Sequence, residues 1–123
     1  MEKLPRKILI LFASSGAGHR KASEAIREAF IKFYKDIEID FFDALDFTNP
    51  FFRKSYPAGY EFIVNKFPFI WRFFYYTLDV KIIYLFASWL RRLINAINCK
   101  GLEDYIIANK PDLIITTHFM PVE

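Results

Sequence analysis

Three apolar runs predict the strands of a parallel sheet. They cover residues 8–12, 37–42 and 113–116, and the first is apolar at every position. Such an uninterrupted run is typical of a strand buried on both faces by covering helices. Between the first two runs, residues 20–34 carry apolar side chains at helical spacing and predict a helix whose buried face is formed by Ala22, Ala25, Ile26, Ala29, Phe30 and Phe33. The pattern therefore predicts an α/β fold with a right-handed strand–helix–strand crossover.

The segment between the second and third strands predicts helices. Residues 56–66 and 68–77 form two helical stretches punctuated by Pro50, Pro57 and Pro68, and residues 102–108 form a short helix. The strongest pattern covers residues 80–97, where one face is polar (Lys81, Ser88, Arg91, Arg92, Asn95) and the other apolar (Ile82, Leu85, Phe86, Trp89, Leu90, Leu93, Ile97). The longest uncharged run within residues 80–97 has nine residues, well short of the roughly 20 that span a bilayer.

A glycine-rich loop closed by a histidine joins the first strand to the first helix. It reads Ser-Ser-Gly-Ala-Gly-His over residues 14–19. Glycine allows the backbone to approach a ligand closely, and the first N–H groups of the following helix point toward whatever docks there. The imidazole of His19 at this position suggests acid–base chemistry or anion recognition.

Two common phosphate-binding loops fit these residues poorly. A P-loop has Lys followed by Ser or Thr after its second glycine, whereas this chain has Lys21 and Ala22. A dinucleotide fingerprint has Gly or Ala three positions after Gly18, where Lys21 stands. Asp43, at the end of the second strand, imitates the acid that binds a ribose, so a nicotinamide site stays open. A glycine-rich turn with an exposed histidine and no ligand is the other alternative.

The candidate residues all follow the ends of predicted strands. The loop follows the first strand, Asp43 ends the second, and Thr117 and His118 follow the third. Open α/β sheets bind their ligands at the carboxyl edge of the strands. We therefore expect these residues to share one edge of the sheet.

Positive charge and aromatic residues coincide in the middle of the chain. Residues 50–94 hold seven Lys and Arg against two Asp and Glu, and 15 of the 24 aromatic residues. Amphipathic helices with this composition suit a membrane surface, where aromatic rings and cations both find favourable partners. An unusually aromatic helical core is the alternative. A nucleic-acid partner is not expected, because these aromatic residues follow helical spacing rather than the strand faces that stack bases.

Length and cysteine content set the remaining expectations. With 123 residues and 54% hydrophobic content, residues 1–123 are expected to form one small domain with its own core. The single cysteine, Cys99, and the lack of a signal-like N-terminus predict a reducing compartment and no disulfide framework. The sequence ends directly after a predicted strand, so we expect it to be a truncated protein or the first part of a larger one.

Four motifs, in order, resemble one family. Its opening is matched by Ser-Gly-Ala-Gly-His-Arg-Lys-Ala-Ser-Glu-Ala-Ile over residues 15–26, followed by Thr-Asn-Pro at 48–50, Arg-Phe-Phe-Tyr-Tyr at 72–76 and Lys-Pro-Asp-Leu-Ile-Ile-Thr-Thr-His at 110–118 with Pro121 after it. This set resembles the monogalactosyldiacylglycerol synthase and processive diacylglycerol glucosyltransferase family, relatives of the bacterial lipid II glycosyltransferase. The resemblance covers essentially the whole chain.

The resemblance implies a GT-B fold, of which this chain is the N-terminal, acceptor-binding, Rossmann-like half with a parallel sheet and flanking helices. It implies that His19 is the base that takes a proton from the diacylglycerol hydroxyl during inverting transfer of a hexose. Gly16, Ala17 and Gly18 would approach the reacting groups or the donor phosphates. Ala17 departs from the glycine of many members, which is tolerable if its φ is negative. The cleft edge would be formed by Asp43, Thr117, His118 and Pro121.

The resemblance also implies the partners. The donor, a UDP-sugar, would bind a C-terminal domain that this chain lacks and that is supplied in cis or as a second chain; no metal and no tightly bound cofactor are expected. The protein would lie peripherally on the cytoplasmic face of a membrane and contact diacylglycerol and anionic lipids through Trp71, Arg72, Phe73, Phe74, Tyr75, Tyr76, Trp89, Arg91 and Arg92. A non-catalytic lipid-surface binding module or partner subunit on the same scaffold is the alternative.

Overall fold

A three-stranded parallel sheet organises the chain. The computed structural model describes residues 5–77 and 79–118, except for the side chains of Trp71 and Phe74. The strands are β1 (Lys7–Phe12), β2 (Glu38–Asp43) and β3 (Leu113–Thr116), in the order β2-β1-β3. Ile10 of β1 pairs with Phe41 on one side and with Ile115 on the other. The predicted α/β fold with a Rossmann-like parallel sheet is confirmed.

The core lies around the central strand. Ile8, Leu9 and Ile10 are fully buried, as an uninterrupted apolar run flanked by two neighbouring strands requires. On one side of the sheet, β1 packs against the residues that follow β2 and against a later helix, in a buried cluster of Leu9, Leu11, Ala13, Ala44, Leu45 and Leu102. This packing fixes the carboxyl end of β1, from which the glycine-rich loop departs.

The first helix, α1 (Ala17–Phe33), begins three residues before its predicted start. Gly18 and His19 therefore lie in the first helical turn and not in the loop before it. Gly16 precedes the helix with φ 139°, a conformation that only glycine adopts readily. Ala17 is not among the described residues with positive φ, so its methyl group is compatible with the turn.

The predicted buried face of α1 is largely wrong. Ile26 and Phe30 are half-buried as expected, but Ala22, Ala25, Ala29 and Phe33 are exposed. The side facing the sheet instead carries Ser23, which is completely buried and donates a hydrogen bond to the carbonyl oxygen of Arg20 over 2.8 Å. One turn before Ser23, His19 is hydrogen-bonded to Thr117, the residue that follows β3. Because His19 and Ser23 are four residues apart, they lie on the same face of α1. The bond from His19 therefore turns this face toward the sheet.

Helix α2 (Pro50–Lys66) begins six residues before its predicted start. The side chain of Asn49 accepts a hydrogen bond from the backbone N–H of Phe52 over 2.8 Å, and Pro50 occupies the first helical turn. This pair is a regular helix start. Pro57, the second residue of the predicted stretch, lies in the interior of the observed helix. A short 3-10 helix, Ala44–Phe47, connects β2 to this region.

Three further helices follow: α3 (Pro68–Thr77), α4 (Lys81–Asn98) and α5 (Lys100–Asn109). They agree with the predicted helices to within two residues at each end. In α4 the buried side chain is Asn95, from the polar face, whereas all seven residues of the apolar face are exposed, from 41% for Leu90 to 79% for Ile82. Within the part of the chain that the structure describes, no helix has the length and apolar character needed to cross a bilayer.

Candidate functional site

Two of the three strand ends meet at one small site. The loop after β1 supplies Ser15 and, in the first turn of α1, His19, while the segment after β3 supplies Thr117 and His118. Leu11 pairs with Thr116 in the sheet, and the backbone N–H of Thr117 donates to the carbonyl of Leu11 over 3.1 Å. The parallel register therefore brings His19 and His118 together although they are far apart in sequence.

Thr117 holds His19 through two hydrogen bonds. The Nδ1 atom of His19 lies 2.6 Å from the carbonyl oxygen of Thr117, and the hydroxyl of Thr117 donates to the carbonyl oxygen of His19 over 2.9 Å. Because a carbonyl only accepts, Nδ1 is the protonated nitrogen in this contact. The other nitrogen, Nε2, then carries the lone pair of the neutral ring and can accept a proton.

His118 lies against His19 and is buried. The two rings meet edge to face with centroids 4.7 Å apart, and Nε2 of His118 shares a hydrogen bond with the Ser15 hydroxyl over 3.1 Å. Burial lowers the pKa of His118 below its ordinary value of 6.5; the neighbouring His19 acts in the same direction and Asp43 opposes it. At neutral pH His118 is therefore uncharged and places no positive charge beside His19.

A cavity of about 480 Å³ opens beside the two histidines. Ser15, His19 and His118 line it at the sheet edge, and α2 forms the opposite wall with Tyr56, Gly59, Tyr60 and Ile63. Its size falls within the range of small-molecule sites. It is polar at the imidazoles and mostly apolar along α2, which suits a ligand with a hydroxyl at one end and hydrocarbon at the other.

Asp43 lies at the same sheet edge but outside this cavity. One carboxylate oxygen accepts hydrogen bonds from the backbone N–H groups of Ser14, over 3.3 Å, and Leu45, over 3.0 Å; the other accepts from the Ser14 hydroxyl. Both oxygens are engaged in holding the loop, so the alternative of a ribose-binding acid gains no support. Asp43 lines a separate depression of about 300 Å³ with Arg20 and Arg53.

The predicted membrane-contact residues lie on exposed surfaces where they are described. Phe73, Tyr75 and Tyr76 are 60% to 70% exposed, and the Arg72 guanidinium lies 5.8 Å from the ring centre of Tyr76. On α4, Trp89 is 59% exposed and stacks on Phe86, and Arg91 and Arg92 are also exposed. Pro121 and the side chains of Trp71 and Phe74 lie outside the described part of the protein.

The wall provided by α2 was not foreseen from the sequence. Tyr56, Gly59, Tyr60 and Ile63 carry no recognised motif, and only the unusual placement of Pro57 and Gly59 inside one helix marks this stretch. The sequence predicts Ser15 as part of the loop but does not predict its hydrogen bond with His118. Among residues 5–77 and 79–118, no three His, Cys, Asp or Glu side chains are arranged to hold a metal ion.

Comparison with known proteins agrees with this architecture. Residues 19–123 match the family model described as monogalactosyldiacylglycerol (MGDG) synthase. The chain is 32% identical to a probable chloroplastic monogalactosyldiacylglycerol synthase of Glycine max and to monogalactosyldiacylglycerol synthase 1 of Arabidopsis thaliana, and 31% identical to the enzyme of Spinacia oleracea. Each match covers 93% of this chain and 21% of the relative.

The chain thus spans about a fifth of the length of these relatives. No solved structure is significantly similar to it. The family match includes His19, the whole α2 wall and the Thr117–His118 segment. The chain belongs to the monogalactosyldiacylglycerol synthase family.

Proposed function

We propose that this chain is the acceptor-binding part of a glycosyltransferase that moves a hexose from a UDP-sugar onto diacylglycerol. The observation that carries the proposal is the cavity, which is polar where His19 and His118 lie and apolar along α2. Diacylglycerol has the same division, one free hydroxyl and two hydrocarbon chains. The names of the relatives point to the same acceptor.

His19 is the proposed general base. Its Nε2 accepts the proton of the acceptor hydroxyl while that oxygen forms a bond to the anomeric carbon of the sugar. The bond from that carbon to the phosphate oxygen of the donor breaks, UDP leaves with the electron pair, and the configuration inverts. An imidazole suits this step because its ordinary pKa allows it to accept a proton near neutral pH. The Nδ1 bond to Thr117 keeps the accepting nitrogen free.

The start of α1 is the proposed contact for the donor phosphates. Gly16 occupies the N-cap position of the helix and has no side chain to cap the first N–H groups, so these groups can bind an anion. At Gly18 a Cβ atom would have no atom of residues 5–77 or 79–118 within 4 Å, so these residues leave the backbone uncovered there. The sugar nucleotide itself would be held by a C-terminal donor domain, in cis or on a second chain; this chain with that domain is called the complete enzyme below.

Helices α3 and α4 are the proposed contact with the membrane. The seven apolar side chains of the α4 face are all exposed although the polar Asn95 of the same helix is buried. Arg91 and Arg92 flank that face and can interact with anionic headgroups at the cytoplasmic surface. This arrangement also fits the alternative function, a non-catalytic lipid-surface module, because it does not involve His19.

Sugar transfer separates the two functions. The complete enzyme should transfer labelled hexose from a UDP-sugar to diacylglycerol, whereas this chain alone should bind vesicles without turning over donor. Vesicle binding by the complete enzyme with no transfer from any UDP-hexose would favour the lipid-surface module. Robust transfer by this chain alone would contradict the proposed division into acceptor and donor parts.

A further inference from the structure

Gly59 is placed where a helix usually has a side chain. It lies inside α2, and no residue of the helix interior other than proline weakens a helix more than glycine does. Its neighbours on the same face, Tyr56, Tyr60 and Ile63, line the cavity with it. The helix therefore carries its one glycine at the cavity wall.

Two other glycines illustrate the two structural reasons for which a fold requires a glycine at a given position. Gly16 has φ 139°, which strains other residues, and a Cβ atom on Gly101 would lie 2.8 Å from the carbonyl oxygen of Phe47. Neither reason applies at Gly59, which has no positive φ and where a Cβ atom would meet no atom of the described residues within 4 Å. Among the described residues, none needs the space at position 59, and the absent side chain leaves that space open in the cavity wall.

The surroundings indicate what would occupy that space. Tyr56 lies toward the histidines, its ring centre 6.2 Å from that of His118, and Ile63 lies two helical turns further along α2. The distance from residue 56 to residue 63 along the helix axis is about 10 Å. Gly59 is thus the gap in an apolar strip that leads away from the polar end of the cavity.

We propose that Gly59 is a specificity-determining residue, and that an acyl chain of the acceptor lies across its backbone as it leaves the cavity along α2. The inference rests on the proposed function and adds to it the residue of α2 that one acyl chain of that acceptor crosses. A larger residue at position 59 would fill the path of the chain, while leaving His19 and the donor-binding part unchanged.

The test compares three variants of the complete enzyme: Gly59→Leu, Gly59→Ala and the matched control Ala58→Leu. Ala58 is exposed on the same helix and does not line the cavity. The measured quantity is the ratio of kcat/KM for dioleoylglycerol to kcat/KM for dibutyrylglycerol, whose much shorter chains make far less contact along α2. Gly59→Leu should lower this ratio about tenfold or more, Gly59→Ala should lower it less, and Ala58→Leu should leave it within about twofold.

The outcomes distinguish this inference from the proposed function. If Gly59→Leu keeps the ratio of Ala58→Leu while His19→Ala loses turnover, the assignment of Gly59 is wrong and the proposed function stands. If the wild-type enzyme transfers nothing to diacylglycerol, both fail. Should Gly59→Leu not fold, Gly59→Ala decides, because alanine favours the helix; an unchanged ratio in that variant overturns the assignment.

Discussion

The carbonyl oxygen of Thr117 lies 2.6 Å from Nδ1 of His19, and the hydroxyl of Thr117 returns a 2.9 Å hydrogen bond to the carbonyl oxygen of His19. One residue after β3 therefore fixes both the first turn of α1 and the orientation of the imidazole. The backbone bond selects the ring nitrogen that stays available for a proton, and the hydroxyl bond secures the helix that carries the ring.

Removing the Thr117 hydroxyl should destabilise the protein without releasing the imidazole. Thr117→Val keeps the shape of the side chain and the carbonyl that binds Nδ1, but it leaves the carbonyl of His19 without this donor. We expect the free energy of unfolding to fall by about 1 kcal/mol, as measured by urea denaturation. Thr117→Ser retains the hydroxyl and is the control; equal stability of the two variants would contradict the assigned bond.

His118 should make stability depend on pH. Burial lowers its pKa in the folded state below 6.5, so in this range the unfolded chain binds a proton at this residue more readily than the folded chain does. The contribution of His118 to the free energy of unfolding should therefore be fully present above about pH 6.5 and be lost as the pH falls toward the pKa of the folded state.

Urea unfolding of the wild type and His118→Gln at several pH values checks this. The unfolding free energy of the wild type relative to that of His118→Gln should fall as the pH decreases below 6.5. An NMR titration should give His118 a pKa below that value. A difference that grows on acidification would mean that the charged imidazole is favoured in the fold.

Two glycine substitutions should have opposite effects on stability. Gly101→Ala places a methyl group 2.8 Å from the carbonyl oxygen of Phe47, and such overpacking costs about 1 to 3 kcal/mol. Gly59→Ala places it in open space and should stabilise α2 by about 0.5 to 1 kcal/mol. Denaturation curves of both variants give the comparison. A stabilising Gly101→Ala would show that α5 does not pack against the 3-10 helix as described.

Trp89 should contribute to vesicle binding and little to folding. Truncation of a core indole costs about 3 to 5 kcal/mol, whereas Trp89 is 59% exposed, so Trp89→Ala should keep its melting temperature. Binding to anionic vesicles, measured by co-sedimentation, should weaken. It should weaken further with salt or in Arg92→Gln, since each basic residue near the surface contributes about 1 kcal/mol.

Phe33 provides the matched control for Trp89. It is also aromatic and 71% exposed, but it ends α1, at the opposite edge of the sheet from the site. Phe33→Ala should therefore bind vesicles as the wild type does. If Trp89→Ala unfolds the protein, or if both variants bind equally well, the assignment of α4 to the membrane surface is wrong.

Local patterns predicted most of the helices and strands and the position of the candidate residues at one edge of the sheet. The apolar runs gave all three strands, and the carboxyl-edge rule correctly placed His19, Asp43 and His118 at one edge. The predicted stretch starts at Tyr56 and misses the true start of α2, although Asn49 and Pro50 form a regular helix start. Where a helix or strand begins depends on residues close in sequence, and the capping residue and the proline that mark the start of α2 are visible in the sequence.

The relations between elements could not be predicted in the same way. The rotation of α1 depends on the bond between His19 and Thr117, which are 98 positions apart. Tertiary packing exposes the apolar face of α4 and brings α2 close to the histidines. Helical periodicity in the sequence carries no information about such packing. For the same reason Tyr56 and Gly59 were not recognised as part of the site.

The turnover of His19→Ala tests the central claim most directly. In the complete enzyme, with folding verified by an unchanged melting temperature, hexose transfer to diacylglycerol is measured for the wild type, His19→Ala and Asp43→Asn. Loss of a general base should lower kcat by about 10² to 10⁴. Asp43→Asn, which alters the loop anchor outside the cavity, should lower it much less. A folded His19→Ala enzyme with kcat within about tenfold of the wild type, below the usual range for a lost base, would contradict the account.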